Sequence, residues 1–381
     1  MRYLIWTGLA LVVLPAAGFG LWLAALPAAP AAYAPPPVPR AETDAMLAAL
    51  KPPKRSRPLI AIVGINDATE TTDYLMPTGI LRRADIADVV MLSTKPGPVK
   101  LYPALAVEAD ATIEAFDARH PEGPDYVIIP AMSRDDDPVV MAWLRKQAQG
   151  GAVIIAICAG AKVAAAAGLL DERRATTHWY YLKDLLRSRS SIRYAADRRL
   201  VADRGIVTTT GITASMPMML TLVEAIAGRD KAEAVARDLG LDRFDARHDS
   251  SAFRLSRPFA MTVLGNRLAI WSHDRFGIAL APGLDEVSLA LVADAWSRTY
   301  RSQVELLATS MGAVTTRSGV RLIPDRITAA RSDERLLDEE VSKRPADALD
   351  SALQDIGARY GQATTHIVAM QLEYPQRGAQ P

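Results

Sequence analysis

Cysteine is the scarcest functional residue here: 381 residues contain one, Cys158. No intramolecular disulfide can form, and a zinc site built from several cysteines is excluded. Histidine is also sparse. His120, His178, His248, His273 and His366 stand far apart with no ligand spacing between any two, so neither a metal nor a cofactor is expected. An excess of one charge is missing as well. The 44 basic and 43 acidic residues leave a net charge of +1, too little for a phosphate-binding surface, so nucleic acid is not an expected partner.

Charge is absent altogether from Tyr3 to Pro39. Within that stretch Tyr3 to Leu26 is almost continuously apolar, with Trp6 and Trp22 toward its ends and Pro15 inside it. A run of this kind is long enough to span a bilayer, with aromatics at the interfaces. Residues 1–27 are therefore expected to be a single transmembrane anchor. Small residues from Ala28 to Ala34 leave a cleaved signal peptide as the alternative. Either reading places the globular part outside the cytoplasm.

Residues 28–57 follow as a Pro/Ala-rich linker, read as a semi-rigid tether with a short helical patch from Glu42 to Leu50. From Pro58 onward the pattern changes. Leu59-Ile-Ala-Ile-Val63, Val89-Val-Met-Leu-Ser93, Tyr126-Val-Ile-Ile-Pro130 and Ala152-Val-Ile-Ile-Ala-Ile157 are continuous apolar runs, as in strands buried on both faces of a parallel sheet. Helical stretches at Asp73–Arg83 and Pro138–Gln149 lie between them. The order predicts a flavodoxin-like doubly wound α/β sheet over residues 58–256.

Sliding the chain by 216 residues lays Ile60–Glu70 over Phe276–Glu286 and Val89–Ser93 over Glu305–Thr309. Residues 257–381 are accordingly expected to hold a shortened second copy of the same fold, without the cysteine. A final helix is expected from Ala346 to Tyr360, then an apolar segment from Ile367 to Leu372.

Cys158 directly follows the run ending at Ile157 and opens a helix through Ala159, Gly160, Ala161 and Lys162. A nucleophile at such a strand-to-helix turn stands exposed at the end of the sheet. Small neighbours let the turn close and leave backbone N–H groups of Ala159 and Gly160 to hold an oxyanion. A helix N-terminus also lowers a thiol pKa. A small buried cysteine is, however, a common packing residue too.

The segment from Cys158 through His178 and Trp179, continued by Leu200–Ser215 and Gly228–Arg237, resembles the ThiJ/PfpI family. Within it the chain is most similar to the branch that includes the sensor half of GlxA-type AraC regulators and the isonitrile hydratases. The resemblance implies an amidotransferase-like sandwich. It also implies an acidic residue after the first strand, placed at Glu70 with Asp67 as fallback, and a histidine twenty residues past the cysteine, His178. Asp73 reads as an N-terminal helix residue. Glu70, kept protonated by burial, would donate to the thiolate, and His178 would act as general base. The third backbone donor falls at Ala131, although Pro130-Ala-Met-Ser133 replaces the glycines that members commonly carry. Hydratase-like members usually have Thr where Ala159 stands, and no helix-turn-helix domain follows.

These readings combine into a membrane-tethered protein using Cys158 on a small carbonyl, amide or nitrile-like substrate. The alternatives are a small-molecule or redox sensor, and an interaction module. For the last, the second copy would form a pseudo-dimer within the chain, or the chain would pair as a homodimer.

Overall fold

A computed structural model describes residues 17–28, 35–327 and 335–375. The apolar runs become the strands β1 (Leu59–Val63), β2 (Asp88–Ser93), β4 (Tyr126–Ile129) and β5 (Val153–Ala156), joined by β3 (Ala111–Thr112), β6 (Leu200–Asp203) and β7 (Ile206–Thr209). They form one seven-stranded sheet in the order β6-β7-β5-β4-β1-β2-β3. All neighbours are parallel except the β6–β7 hairpin at one edge.

Alternation along each strand splits the core between the two faces of this sheet. Ile60, Ile62, Tyr126, Ile128 and Ile155 point to one side, and Ala61, Val63, Val127, Ile129 and Ile154 to the other. Burying each large aliphatic side chain contributes about 1.5–3 kcal/mol. That is why the strands read as unbroken apolar runs. The second face is covered by α3 (Pro138–Gln149) and α4 (Gly160–Ala166), the first by α2 (Thr71–Ala84) and α6 (Ser215–Ala227). The order in which strands are added reverses between the parallel β1 and β4, so their carboxyl ends and that of β5 border one crevice, where ligands bind in such sheets.

The C-terminal part opens with β8 (Asp274–Ala279), α8 (Glu286–Ser297) and β9 (Ser302–Ala308), a parallel βαβ unit like β1-α2-β2. Among the described residues its sheet is extended by the two-residue strands β10 (Arg326–Ile327) and β11 (Arg335–Leu336). α9 (Pro345–Tyr360) and α10 (Gln362–Leu372) complete it; the apolar segment from Ile367 is thus helix. α8 packs directly on α2, and one apolar cluster runs through both parts.

The expected tether differs from what is seen. α1 (Arg40–Ala49) docks through Met46, with Leu50 buried just after it, and Arg55 binds the buried Asp125 carboxylate at 2.7 Å. The expected membrane anchor is corrected too. Among the described residues no helix is long and apolar enough to cross a membrane, so the single-pass localisation with an extracytoplasmic domain is withdrawn, and membrane as a partner with it. Residues 3–16 of the expected span lie outside the described residues. Residues 17–25 are helical and end against α7 (Arg257–Leu268). There the Arg257 guanidinium donates to the carbonyls of Leu23 (3.2 Å), Ala24 (2.6 Å) and Leu26 (3.3 Å), and its backbone N–H to Pro27 O at 2.9 Å.

Candidate active site

Cys158 stands two residues past β5 with φ 54°, a left-handed conformation that costs a non-glycine residue roughly 1–2 kcal/mol. The turn around it is tightly determined. A Cβ on Gly160 would lie 2.1 Å from Ile129 O, so only glycine fits there. Cys158 N–H donates to Thr209 Oγ1 at 3.1 Å, and Thr177 Oγ1 donates to Cys158 O at 2.9 Å. The expected elbow is present, held by two threonines from later segments.

The expected low thiol pKa is corrected. Burial pushes the Cys158 thiol well above its ordinary value, with the negative charges of Asp73, Glu70 and Glu373 adding to the shift and the Ala159 N–H opposing it. A short helix N-terminus does not outweigh a buried site with several carboxylates. At neutral pH the sulfur is a thiol.

Glu70 lies at the site in another role than expected. Its Oε2 accepts from Asp73 N (2.6 Å) and Thr72 Oγ1 (2.8 Å), capping α2, while Oε1 accepts from Arg298 Nη2 at 2.8 Å. A carboxylate that accepts from all sides has no proton to offer the sulfur. Asp67 is exposed and contributes only its backbone oxygen, to Ser133.

The carboxyl with a proton to offer is Asp73, which the sequence reading left as a helix residue. It is fully buried; Oδ2 accepts from Ala131 N at 3.1 Å and Oδ1 has no partner. Burial first, then the charge of Glu70, raises its pKa well above the carboxylate range. Charge counting agrees. Asp73, Glu70 and Asp294 share one cation, Arg298, whose own charge is held by Asp294 (2.8 Å) and Glu70 (2.8 Å) despite its burial. Three buried carboxylates around one guanidinium cannot all be ionised.

His178 lines the same cavity, but both ring nitrogens are committed. Nε2 is 2.9 Å from Gln371 O, and Nδ1 accepts from Tyr180 N at 3.1 Å, capping α5 (Trp179–Ser188). This arrangement fixes the neutral tautomer with the proton on Nε2, and burial lowers the pKa. No lone pair faces the thiol, so the base role is replaced by docking of the C-terminal segment. Trp179 Nε1 donates to Met370 O (2.7 Å), and Glu373 accepts from the backbone N–H groups of Trp179 (2.6 Å) and Gly211 (2.7 Å). His248 stacks on Phe253 beside Glu373, a packing role.

Of the three expected backbone donors, Gly160 N–H closes the turn onto Ile157 O (2.7 Å) and Ala131 N–H serves Asp73. Ala159 N–H alone is aimed at the sulfur. Cys158, Glu70, His178 and Arg298 border a cavity of about 740 Å³. Among the described residues no cluster of three or more His, Cys, Asp or Glu could hold a metal ion.

A parallel flavodoxin-like sheet with a cysteine on a strained elbow defines a class of cysteine-centred α/β proteins. Residues 60–225 match the DJ-1/PfpI family, and that part of the chain is a domain of this family. An isonitrile hydratase of Pseudomonas putida is 38% identical over 104 residues, covering 27% of this chain and 44% of that protein. The HTH-type transcriptional regulator CdhR of Pseudomonas aeruginosa is 27% identical over 181 residues, covering 47% and 52%. The matched region thus spans about half the length of these two relatives. Oxidised Toxoplasma gondii DJ-1 has a similar fold, at 24% identity and a TM-score of 0.43, covering 49% of this chain and all of that one.

Proposed function

We propose that the chain is a cysteine-dependent hydratase or hydrolase acting on a carbonyl, amide or nitrile-like carbon, with Cys158 as nucleophile and Asp73 as its proton partner. The observation that carries this reading is the partnerless Oδ1 of the fully buried Asp73, whose other oxygen accepts from Ala131 N–H beside the cavity that Cys158 lines; burial raises its carboxyl, and its charge in turn raises the thiol. As sulfur bonds to the electrophilic carbon, the Asp73 proton moves to the substrate's oxygen or nitrogen, and the thiol proton replaces it on Asp73. Neither a free thiolate nor a free carboxylate is needed, so the raised thiol pKa does not stand against the chemistry. With a nitrile-like carbon the adduct is a trigonal thioimidate; with an amide, the nitrogen carrying the proton from Asp73 leaves as the amine and a trigonal thioester remains. Water adds to this trigonal carbon, and the C–S bond breaks as the new hydroxyl becomes the carbonyl, its proton passing to Asp73 while the sulfur leaves with the proton that Asp73 held. The sum is addition of water, with no oxidant or reductant.

The same thiol favours catalysis over redox sensing, because peroxide-sensing cysteines need thiolate character and access, and Cys158 is buried. The isonitrile hydratase relative supports the water-adding class, although Ala159 stands where its branch carries Thr. Turnover of a panel of an aldehyde, an amide, a nitrile and an isonitrile is the test. The reading expects hydration or hydrolysis of at least one, lost in Cys158→Ala and reduced in Asp73→Asn. No turnover of any, or turnover that survives Cys158→Ala, refutes it.

We further propose that the C-terminal part stands where a second copy of the domain would pair. The 216-residue shift carries Glu70 to Glu286, Arg82 to Arg298 and Gly79 to Ala295. α2 and α8 cross closely at Gly79, where a Cβ would lie 2.5 Å from Glu286 Oε1. The ion pairs approach the reciprocity of an isologous contact, with Arg83 taking the place of its neighbour Arg82, which binds Asp110 instead. Glu70 before α2 meets Arg298 after α8 at 2.8 Å, and Glu286 opening α8 meets Arg83 near the end of α2 at 3.6 Å. Size-exclusion chromatography with light scattering tests this reading. A monomer is expected, and a homodimer joined through α2 would contradict it.

A further inference from the structure

We infer that the site takes a substrate with a small reactive head and an extended apolar body, rather than a small polar carbonyl compound. This rests on Cys158 as the reacting group and names the substrate class for it. The cavity of about 740 Å³ is of the size that encloses drug-sized ligands, about 300–1,000 Å³. A molecule of a few heavy atoms would leave most of it empty.

Its walls differ in chemistry. Cys158, Glu70, Asp135, Lys162 and Arg298 bring the reactive and charged groups to one part of the cavity. Leu255, with Phe259, Val263 and Leu264 of α7 and Trp22 of the leader helix, lines another part as an apolar strip on which Arg267 is the charged member. Phe259, Leu255 and Val263 pack in one cluster with Ile367 and Met370, while Leu264 (39% exposed) and Trp22 (46%) keep apolar surface open to water. An apolar ligand laid along them removes that surface from water at about 25 cal/mol per Å².

The wall is also pre-organised. Trp179 is fixed by its bond to Met370 O and meets Phe259 edge-to-face at 5.6 Å between centroids. The leader helix is pinned by Arg257 through the carbonyls of Leu23 and Ala24 and that of Leu26 just past its end. Rigid apolar walls lower the ordering cost of binding.

The probe is the alkylation rate of Cys158 by N-methyl-, N-butyl- and N-octylmaleimide in the full chain, each divided by the rate with glutathione. The normalised rate should rise about threefold to fourfold per buried CH₂, reaching at least on the order of 100-fold from methyl to octyl. Val263→Asp should remove most of that gain. A chain-length-independent rate overturns the substrate class and leaves the nucleophile reading intact. If no maleimide reacts with Cys158, the nucleophile reading falls, and binding decides the class alone. For that, tryptophan fluorescence of Cys158→Ser is titrated with N-octylsuccinimide and N-methylsuccinimide. Saturation by the octyl compound alone supports the apolar body; saturation by neither, or by both at equal concentration, overturns it.

Discussion

Arg298 Nη2 lies 2.8 Å from Glu70 Oε1, joining positions 228 residues apart beneath the candidate site. The same guanidinium lies 2.8 Å from Asp294, and the charges of Asp294 and Glu70 keep it protonated against burial. The N-terminal cysteine domain therefore depends on the C-terminal part for the guanidinium paired with Glu70 beside the site.

Arg298→Met would keep the side-chain volume and remove that cation. Breaking one side of a buried ion pair costs about 3–5 kcal/mol, so the urea midpoint should drop accordingly. The alkylation profile of Cys158 should also move to higher pH, since the unbalanced carboxylates disfavour a thiolate.

Asp294 carries a pH dependence. Burial, against the pull of Arg298, raises its carboxyl to about 8. A carboxyl raised in the folded state contributes stability that is complete below its unfolded value, roughly 4, and is lost as pH rises through about 8. Wild type should therefore lose stability relative to Asp294→Asn between those limits, measured by urea unfolding at fixed ionic strength.

At the elbow, φ 54° at Cys158 predicts that Cys158→Gly is more stable than Cys158→Ala by roughly 1 kcal/mol. Equal stabilities would mean that the turn is not strained. Gly160→Ala should destabilise by about 1–3 kcal/mol or more, because its Cβ meets Ile129 O at 2.1 Å.

His178→Ala should lower stability by about 1–3 kcal/mol, through the unpaired Gln371 carbonyl and the lost cap on α5. It should leave the pH midpoint of Cys158 alkylation close to that of wild type. A large shift of that midpoint would restore His178 as the base.

The sheet and the elbow were legible because buried parallel strands demand continuous apolar runs, and Leu59–Val63 and Val153–Ile157 are such runs. Small residues after Cys158 marked the turn for the same steric reason that Gly160 shows. Asp73 is the N-terminal helix residue expected, in the first turn of α2; what sequence could not reveal is that this turn is buried against the loop at Ala131. Arg298 was invisible, because no local pattern pairs it with Glu70 across 228 positions. The role of His178 depends on the Gln371 carbonyl at the other end of the chain, which spacing from Cys158 cannot reveal. The uncharged leader signalled a membrane span through composition alone, whereas its described end meets the globular part through backbone carbonyls bound by Arg257.

The central claim is that Cys158 and Asp73 share protons in a buried site. Its most direct test is the rate of iodoacetamide labelling of Cys158 against pH, in wild type and Asp73→Asn. The account predicts a wild-type midpoint above the ordinary thiol value, about 8.5, and a lower midpoint in Asp73→Asn, where the carboxylate charge is gone. A wild-type midpoint at or below the ordinary value, unmoved by Asp73→Asn, would contradict it.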